Sequence, residues 1–512
     1  MFKSPRRLRI VFAGLALLLA ILACTRSAVQ EVDPWVPGNN AVTSGSNPTS
    51  TQIPFASDPR QPGAPILTPT PDDPHPLPGL RTEPEQYVAQ PGDTLGAIAD
   101  RFGISVAEIA EASQISNVNV LSVGQTLTIP VPAPVATGPP FKIIPDSELV
   151  AGPVSSYFDV TDFVYSQNGY LVRYEEELNG RLLSGSQIVQ LIGRDFSVNP
   201  RLLLAILEHQ SGWVTQMEPR PETLKYPLGW QDPNRQGLYR QLAWAANELN
   251  RGYYLWRTNA VASWVLADGI VVPANPTINA GTAAVQHFFA ELFNYSIWTR
   301  AVTAEGLSAV YNALFGYPFD YTFEPLLPPD LNQPRLQLPF EPGVQWAFTG
   351  GPHGGWGDGS AWGALDFAPH LDQLGCVPSD DWVVAMADGL ILRAEDGAVV
   401  QDLDSDGREQ TGWTILYMHI ESRERVQAGI YLRAGERIGH PSCEGGVSDG
   451  THVHIARRYN GEWIPADQDW LPFVMDSWVS SGAGSYYDGY LQKGATILEA
   501  WNGWRVESLI ER

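Results

Sequence analysis

The sequence predicts a multidomain α+β chain: a small βααβ module, an all-α domain and an antiparallel β-sheet domain, in that order. Three observations predict it. Two short helical patterns lie between strand-like runs over residues 87–131. Apolar residues then recur at helical spacing across residues 141–330, and residues 333–475 alternate short Val/Ile/Leu/Trp runs with Gly, Pro and Asp turns. With 512 residues, including 17 Trp, 18 Phe and 19 Tyr, the chain has the apolar material for more than one core. A formal net charge of −24 repels a phosphate backbone, and no Lys/Arg block occurs beyond the first ten residues, which excludes nucleic acid as a partner.

The N-terminus sets the compartment. Lys3, Arg6, Arg7 and Arg9 precede fourteen uncharged, mostly aliphatic residues from Ile10 to Ala23, the layout of a signal peptide and too short for a comfortable membrane span. Ile21-Leu22-Ala23-Cys24 resembles a bacterial lipobox, although Leu22 is larger than the residue usual there. Residues 1–24 therefore read as a signal peptide with Cys24 as the lipidation site, which anchors the chain to the membrane on its extracytoplasmic side. Ordinary secretion or an uncleaved anchor is the alternative. Residues 25–86, rich in Pro, Gly, Ser, Thr and Asn without sustained periodicity, read as a flexible tether.

The βααβ module follows. A turn at Pro91-Gly92 leads to Leu95, Ile98, Ala99 and Phe102 at helical spacing, with Asp93 placed to cap them. Ser105 and Glu108 have capping-box spacing, Val106, Ile109 and Ala110 form the next apolar face, and TLTIP closes the unit as a strand. Its "PGDTL" and "VGQTLTIP" signals resemble a LysM module over Tyr87–Pro130, which implies binding of N-acetylglucosamine-containing glycan.

Over residues 141–330, Ile188, Leu191 and Ile192 share one helical face, and Asn199-Pro200 is a cap and first-turn signal for the helix PRLLLAILEHQSGW. That helix resembles the active-site helix of lysozyme-like lytic transglycosylases, where a Glu-Ser pair supplies the general acid. The aligned pair here is Gln210-Ser211, and a carboxamide cannot deliver a proton. Glu208, two residues earlier, points about 200° away on an α-helix. The domain therefore reads as lysozyme-like but non-catalytic, a glycan binder or spacer, with Trp213, Trp230, Trp244, Tyr253, Tyr254 and Trp256 as either core or sugar-stacking residues.

The chemistry-bearing residues lie in the β domain, in the order His353, Asp366, His419, His452, His454. On a strand, His452 and His454 point to one side while Val453 and Ile455 point to the other. Asp366 in GALDFAP is a carboxylate among apolar neighbours, which calls for a cation. This ordered set, with LYMHI before it and the Gly-rich GHPSCEGGVSDGTHVHIA around the final pair, resembles the lysostaphin-type and β-lytic zinc endopeptidases. In the commoner pattern the metal His lies four residues before the Asp, where this chain has Trp362. The β-lytic branch places it farther upstream, which matches His353, thirteen residues before Asp366.

The resemblance implies Zn2+ held by His353, Asp366 and His454, with His419 and His452 as the catalytic groups that orient or deprotonate water, stabilise the oxyanion and return a proton. It implies hydrolysis of peptide cross-links in peptidoglycan, with glycan strand and stem peptides as partners. Two other readings stand beside it: a metal-free activator of other wall hydrolases, and a lytic transglycosylase acting through the helical domain. His75, His209, His287, His370 and His440 are read as bystanders. Asp402, Asp404 and Asp406 have calcium-loop spacing, but Trp413 replaces the twelfth-position Glu, so a solvated hairpin tip is preferred over Ca2+. Cys376 and Cys443, both exported and otherwise unpartnered, are expected to form a disulfide. Residues 476–512 read as a C-terminal extension with no assigned role.

Overall fold

The computed structural model describes His75, Leu77 and residues 83–90, 92–131, 137–371, 373 and 375–512. The apolar N-terminal run, the lipobox with Cys24 and most of the tether lie outside the described residues. Among the described residues no helix is long and apolar enough to cross a membrane.

The first unit pairs β1 (Glu85–Val88) antiparallel with β2 (Thr126–Ile129), around α1 (Leu95–Phe102) and α2 (Val106–Ala112). Leu95, Ile98, Ile104, Ile109, Leu127 and Ile129 make its core. The Ser105–Glu108 capping box is formed in both directions: the Ser105 amide donates to Glu108 Oε2 at 2.7 Å and the Glu108 amide to Ser105 Oγ at 3.2 Å. The cap of α1 differs from expectation. Thr94 Oγ1 accepts the Ala97 amide, while Asp93 Oδ2 instead accepts from the Gln90 amide and the Tyr87 hydroxyl, bracing the turn before the helix.

The second unit contains α3 (Asp146–Leu149), α4 (Val160–Gln167), α5 (Gly185–Phe196), α6 (Pro200–Ser211), α7 (Leu238–Arg257), α8 (Ala280–Ala290), α9 (Tyr295–Ala301) and α10 (Leu307–Phe315). Asn199 caps α6 through the Arg201 amide, with Pro200 in the first turn, and Gly212 ends the helix at φ 73°. Ile188 and Ile192 are buried on α5 as expected. The domain is not all-α, however. It adds two antiparallel hairpins, β3 (Glu175–Leu178) with β4 (Arg181–Ser184), and β5 (Ser263–Val265) with β6 (Val271–Pro273). The first turns at Asn179-Gly180, where φ is 51° and 76°, the positive pair that a two-residue hairpin turn requires.

The third unit is built on β7 (Gln345–His353), β8 (Ala364–Pro369), β9 (Val383–Val384), β10 (Gly389–Glu395), β11 (Ala398–Asp402), β12 (Trp413–Met418), β13 (Tyr431–Leu432), β14 (Arg437–Gly439), β15 (Val453–Tyr459) and β16 (Glu462–Trp463). β17 (Val474–Met475), β18 (Trp478–Gly482), β19 (Gly489–Lys493) and β20 (Thr496–Glu499) form a separate sheet, and β21 (Leu509–Glu511) returns to the main one. The main sheet runs β13-β10-β11-β12-β15-β8-β7-β21, antiparallel throughout, with β16 paired to β15, while β9 and β14 form a two-stranded antiparallel sheet of their own.

Strand alternation divides the two faces of this sheet. Leu365, Val399, Ile415 and Ile455 bury one face in the β domain's own core. Ala364, Val400, Leu416 and Ala456 lie on the other and belong to the core of the helical domain. The helical domain thus packs directly on the sheet. Polar contacts seal the junction: Arg393 reaches Asp195 at 2.8 Å and Glu409 at 3.1 Å, and Arg458 reaches Glu409 at 2.7 Å.

Candidate metal centre

The register of the central strands brings the predicted residues together. His454 on β15 is the direct cross-strand partner of Asp366 on β8 and of Met418 on β12, and Asp366 faces Gly350 on β7. By strand parity, His454 and Asp366 share the face on which Ala456 and Ala364, two residues along, meet the helical domain. Irregularities in the β7–β8 pairing between Phe348 and His353 swing the end of β7 so that His353 joins them.

His353, Asp366 and His454 converge. His353 Nε2 lies 3.0 Å from His454 Nδ1 and 3.2 Å from Asp366 Oδ1, and His454 Nδ1 lies 3.3 Å from the same oxygen. The outward nitrogens settle the tautomers. His353 Nδ1 donates to Gly351 O at 2.8 Å and His454 Nε2 to Gly355 O at 3.1 Å, so the two inward nitrogens present lone pairs. Asp366 Oδ1 is buried without a hydrogen-bond donor among the described residues. Three acceptors pointing at one another repel unless a cation sits between them. Zinc bonds of about 2.0–2.1 Å at tetrahedral angles place ligand atoms about 3.3–3.4 Å apart, close to the separations found here. The residues present fit the metal.

The electrostatics agree. Burial works against the Asp366 carboxylate, yet positive charge on the neighbouring His353 and His452 holds its pKa well below the usual carboxylate range; with those rings neutral, a cation at the same place would act in that sense. Burial keeps the His454 imidazole below its ordinary value and therefore neutral.

His419 and His452 stand next to this group with ring centroids 4.4 Å apart. His419 Nδ1 bonds Glu444 O at 3.1 Å and His452 Nδ1 bonds Gly450 O at 2.8 Å, which leaves each Nε2 for other work. His452 Nε2 lies 3.7 Å from Asp366 Oδ2. Burial first, then the neighbouring His452 and His454, push His419 down to about 3, so it is neutral near pH 7. His419 also takes φ 62°, rare for a residue with a side chain, where the chain leaves β12.

Trp362 is not one of the converging residues and packs edge-on against Tyr486 at 5.5 Å. Two residues not singled out in the sequence do approach it. Tyr487 stacks on His353 with centroids 4.1 Å apart, its carbonyl accepts the Gly351 amide at 2.9 Å, and the Tyr486 hydroxyl accepts the Gly354 amide at 3.1 Å. The C-terminal extension is therefore a wall of the site. A Tyr-Tyr pair in a Gly-flanked turn was the available signal.

Cys376 and Cys443 are bonded to each other, with their Cα atoms 5.7 Å apart. Asp402, Asp404 and Asp406 do lie together, but Asp402 accepts the Asp404 and Ser405 amides on one oxygen and the Gly407 amide on the other. These carboxylates brace a turn, and nothing in their arrangement argues for calcium. In the helical domain, Glu208 accepts the Val214 and Thr215 amides and the Thr215 hydroxyl, and Gln210 donates to Leu228 O. His287 and His440 pair with Glu248 and Glu424, away from the ligand set.

Comparison with known proteins places these features in context. Residues 142–328 match the family described as LasA, N-terminal domain, and residues 87–130 match the LysM domain family. Protease LasA of Pseudomonas aeruginosa is 25% identical over 293 residues, covering 52% of this chain and 65% of the relative, so the match spans slightly under two thirds of that protein. The N-acetylmuramoyl-L-alanine amidase XlyA of Bacillus subtilis is 39% identical over 62 residues, 12% of this chain and 20% of XlyA. Among solved structures, the deep-sea M23 metalloprotease pseudoalterin is 24% identical and covers 35% of this chain and 99% of its own, with a TM-score of 0.28. The lysostaphin catalytic domain of Staphylococcus simulans is 24% identical and covers 24% of this chain and 89% of its own, with a TM-score of 0.18. The chain is similar to the LasA-type, lysostaphin-like peptidases and carries a LysM module.

Proposed function

We propose that the chain is a zinc-dependent endopeptidase that hydrolyses peptide cross-links of peptidoglycan, with the LysM module holding the glycan and a signal peptide and lipidated Cys24 keeping the protein at the cell envelope. The observation that carries the reading is the convergence of His353 Nε2, His454 Nδ1 and Asp366 Oδ1 at 3.0–3.3 Å, with the other nitrogen of each imidazole bonded outward to a backbone carbonyl.

In this reading His353, Asp366 and His454 hold the metal, two imidazoles and one carboxylate leaving one position exchangeable. Bound zinc supplies a water whose pKa falls to about 7 and polarises the scissile carbonyl. The neutral His419 accepts a hydrogen bond or a proton at Nε2, because its Nδ1 is held by Glu444 O. His452, anchored through Gly450 O, offers its own Nε2 beside Asp366. The pair thus provides acid, base and oxyanion contacts within one short span. The helical domain, lysozyme-like in the pattern of α6, contributes no acid: Gln210 cannot protonate a leaving group, and Glu208 is committed to its own turn.

Mass analysis of digested peptidoglycan tests the reading. New free amines from cleaved cross-links are expected, together with about one zinc per protein. Anhydro-sugars or new reducing ends without freed amines refute it. A pure protein that takes up no zinc favours the activator reading.

A further inference from the structure

The loop joining β7 to β8, residues 354–363, carries the carbonyl that orients a metal ligand. Gly355 O accepts His454 Nε2 at 3.1 Å and so decides that His454 turns Nδ1 towards Asp366. Five of the ten loop residues are glycine, so the loop has much backbone freedom to lose; its side-chain packing comes from Trp356 and Ala361, which meet the helical domain's core, and from Trp362 on Tyr486.

The Gly355 amide bonds Ala361 O within the loop at 3.1 Å and Tyr486 holds Gly354, but the far end of the loop is held by the helical domain. The buried Gly359 amide donates to Asn247 Oδ1 at 2.9 Å, Asn247 Nδ2 donates to Asp358 Oδ1 at 2.8 Å, and Arg251, one turn farther along α7, reaches Asp358 Oδ2 at 3.0 Å. A Cβ at Gly359 would lie 2.0 Å from Asn247 O, so glycine is what lets the loop meet the helix. On the other side of the loop, the Trp463 ring is so close to Gly355 that a Cβ there would lie 2.7 Å from it. Trp463 is itself tied to the helical domain, its amide to the Tyr254 hydroxyl at 3.0 Å and its Nε1 to Phe196 O at 3.4 Å.

We propose that the helical domain is a positioning element of the metal centre, with Asn247 as the positioning residue that keeps Gly355 O aligned on His454. Arg251 is secondary. The Asp358 side chain is 68% exposed, and ion pairs so placed hold little, whereas Asn247 satisfies a buried backbone amide. The inference rests on the zinc reading above and adds that the β domain does not set its ligand geometry alone.

The test measures zinc affinity by chelator competition in the full chain, alongside thermal unfolding of the metal-free protein. Asn247→Ala is expected to raise the zinc dissociation constant by about 3–10-fold, less than the roughly 10–100-fold of losing a direct outer contact to a ligand, because Asn247 acts through the loop. Asn247→Asp keeps the acceptor for Gly359 but sets a carboxylate against Asp358, and is expected to weaken zinc in the same direction. Thr223→Val, which removes the hydrogen bond from Trp213 Nε1 (2.9 Å) elsewhere in the domain, is expected to lower the melting temperature yet leave zinc affinity within about twofold. Should Asn247→Ala not fold, Asn247→Asp carries the comparison, while Asp358→Ala is expected to shift affinity little. Parental affinity in the folded Asn247 variants overturns the proposal, as does an equal zinc loss in Thr223→Val. A parent protein that binds no zinc overturns the zinc reading itself, whereas a zinc-binding parent with unaffected variants overturns only the clamp.

Discussion

Gly350 gives the sharpest test of the ligand set. It faces Asp366 across β7 and β8, and a Cβ built on it would lie 2.7 Å from Asp366 Oδ2 and 3.0 Å from Asp366 Cβ and Cγ. Gly350 is not among the positive-φ glycines, so alanine accepts its backbone and the effect of Gly350→Ala is purely steric. Ordinary contact begins near 3.4 Å, so the carboxylate must retreat by roughly 0.4–0.7 Å. Metal–ligand distances tolerate only about 0.2 Å, so zinc affinity is expected to fall about 10–100-fold, or about 1.4–2.7 kcal/mol. Overpacking costs about 1–3 kcal/mol and the lost glycine freedom returns about 0.4–1 kcal/mol, so the metal-free protein loses between about 0 and 2.6 kcal/mol and its unfolding is measured beside the metal affinity. Chelator competition measures this against Gly96→Ala, where the new Cβ meets only Thr94 Oγ1 at 3.8 Å. Parental zinc affinity in Gly350→Ala would refute the assignment of Asp366 as a ligand held in this register.

Asp366→Ala and His454→Ala should each lose most bound zinc, whereas His419→Ala should keep the metal and lose hydrolysis; metal analysis beside a wall-digestion assay decides. Replacing Cys376 and Cys443 by Ala opens a crosslink across 67 residues and is expected to lower stability by about 4 kcal/mol at most, read by calorimetry. An unchanged melting temperature would mean that contacts such as the Thr451 amide on Gly375 O already hold those loops. Burial alone would raise Glu409, but Arg393 and Arg458 hold it down at about 2, so its contribution is present above the ordinary carboxylate pKa near 4.5 and is lost as pH falls towards 2. Asp195, which shares Arg393 and is shifted upward by burial, acts in the opposite sense. The test is therefore Glu409→Gln, which should flatten the acid limb of the stability–pH curve; an unaltered limb refutes the assignment. Glu208→Gln should lower stability, by loosening the turn at Val214 and Thr215, without changing peptidoglycan products.

Local patterns made much of this architecture legible. The capping box at Ser105 and Glu108, the cap and proline at Asn199-Pro200, and the alternation around His452 and His454 each state a backbone preference within a few residues. The convergence of His353 with His454 was reached through family resemblance and not through spacing, since a glycine-rich loop and 101 residues separate them. Tyr487 illustrates what no local pattern carries: it meets His353 only because the C-terminal strands fold back along β7. The first hairpin of the helical domain was readable in Asn179-Gly180, but the surrounding helical periodicity masked a pair of four-residue strands. Asp93 lost its cap position to Thr94 because a carboxylate one residue earlier finds the Gln90 amide first.

The pairing of His454 with Asp366 across β15 and β8 has a consequence for the order in which this protein is made. The backbone positions of this pair are dictated by the hydrogen-bond ladder, and His353 is held by a backbone carbonyl, so in the zinc reading the ion would close the cradle's side chains without having to build its frame. In small zinc domains the metal is the architect, and removing it unfolds the chain. In the zinc reading it would be a tenant instead, because the sheet has an apolar core of its own: a stripped molecule is expected to stay folded and to take the ion up again.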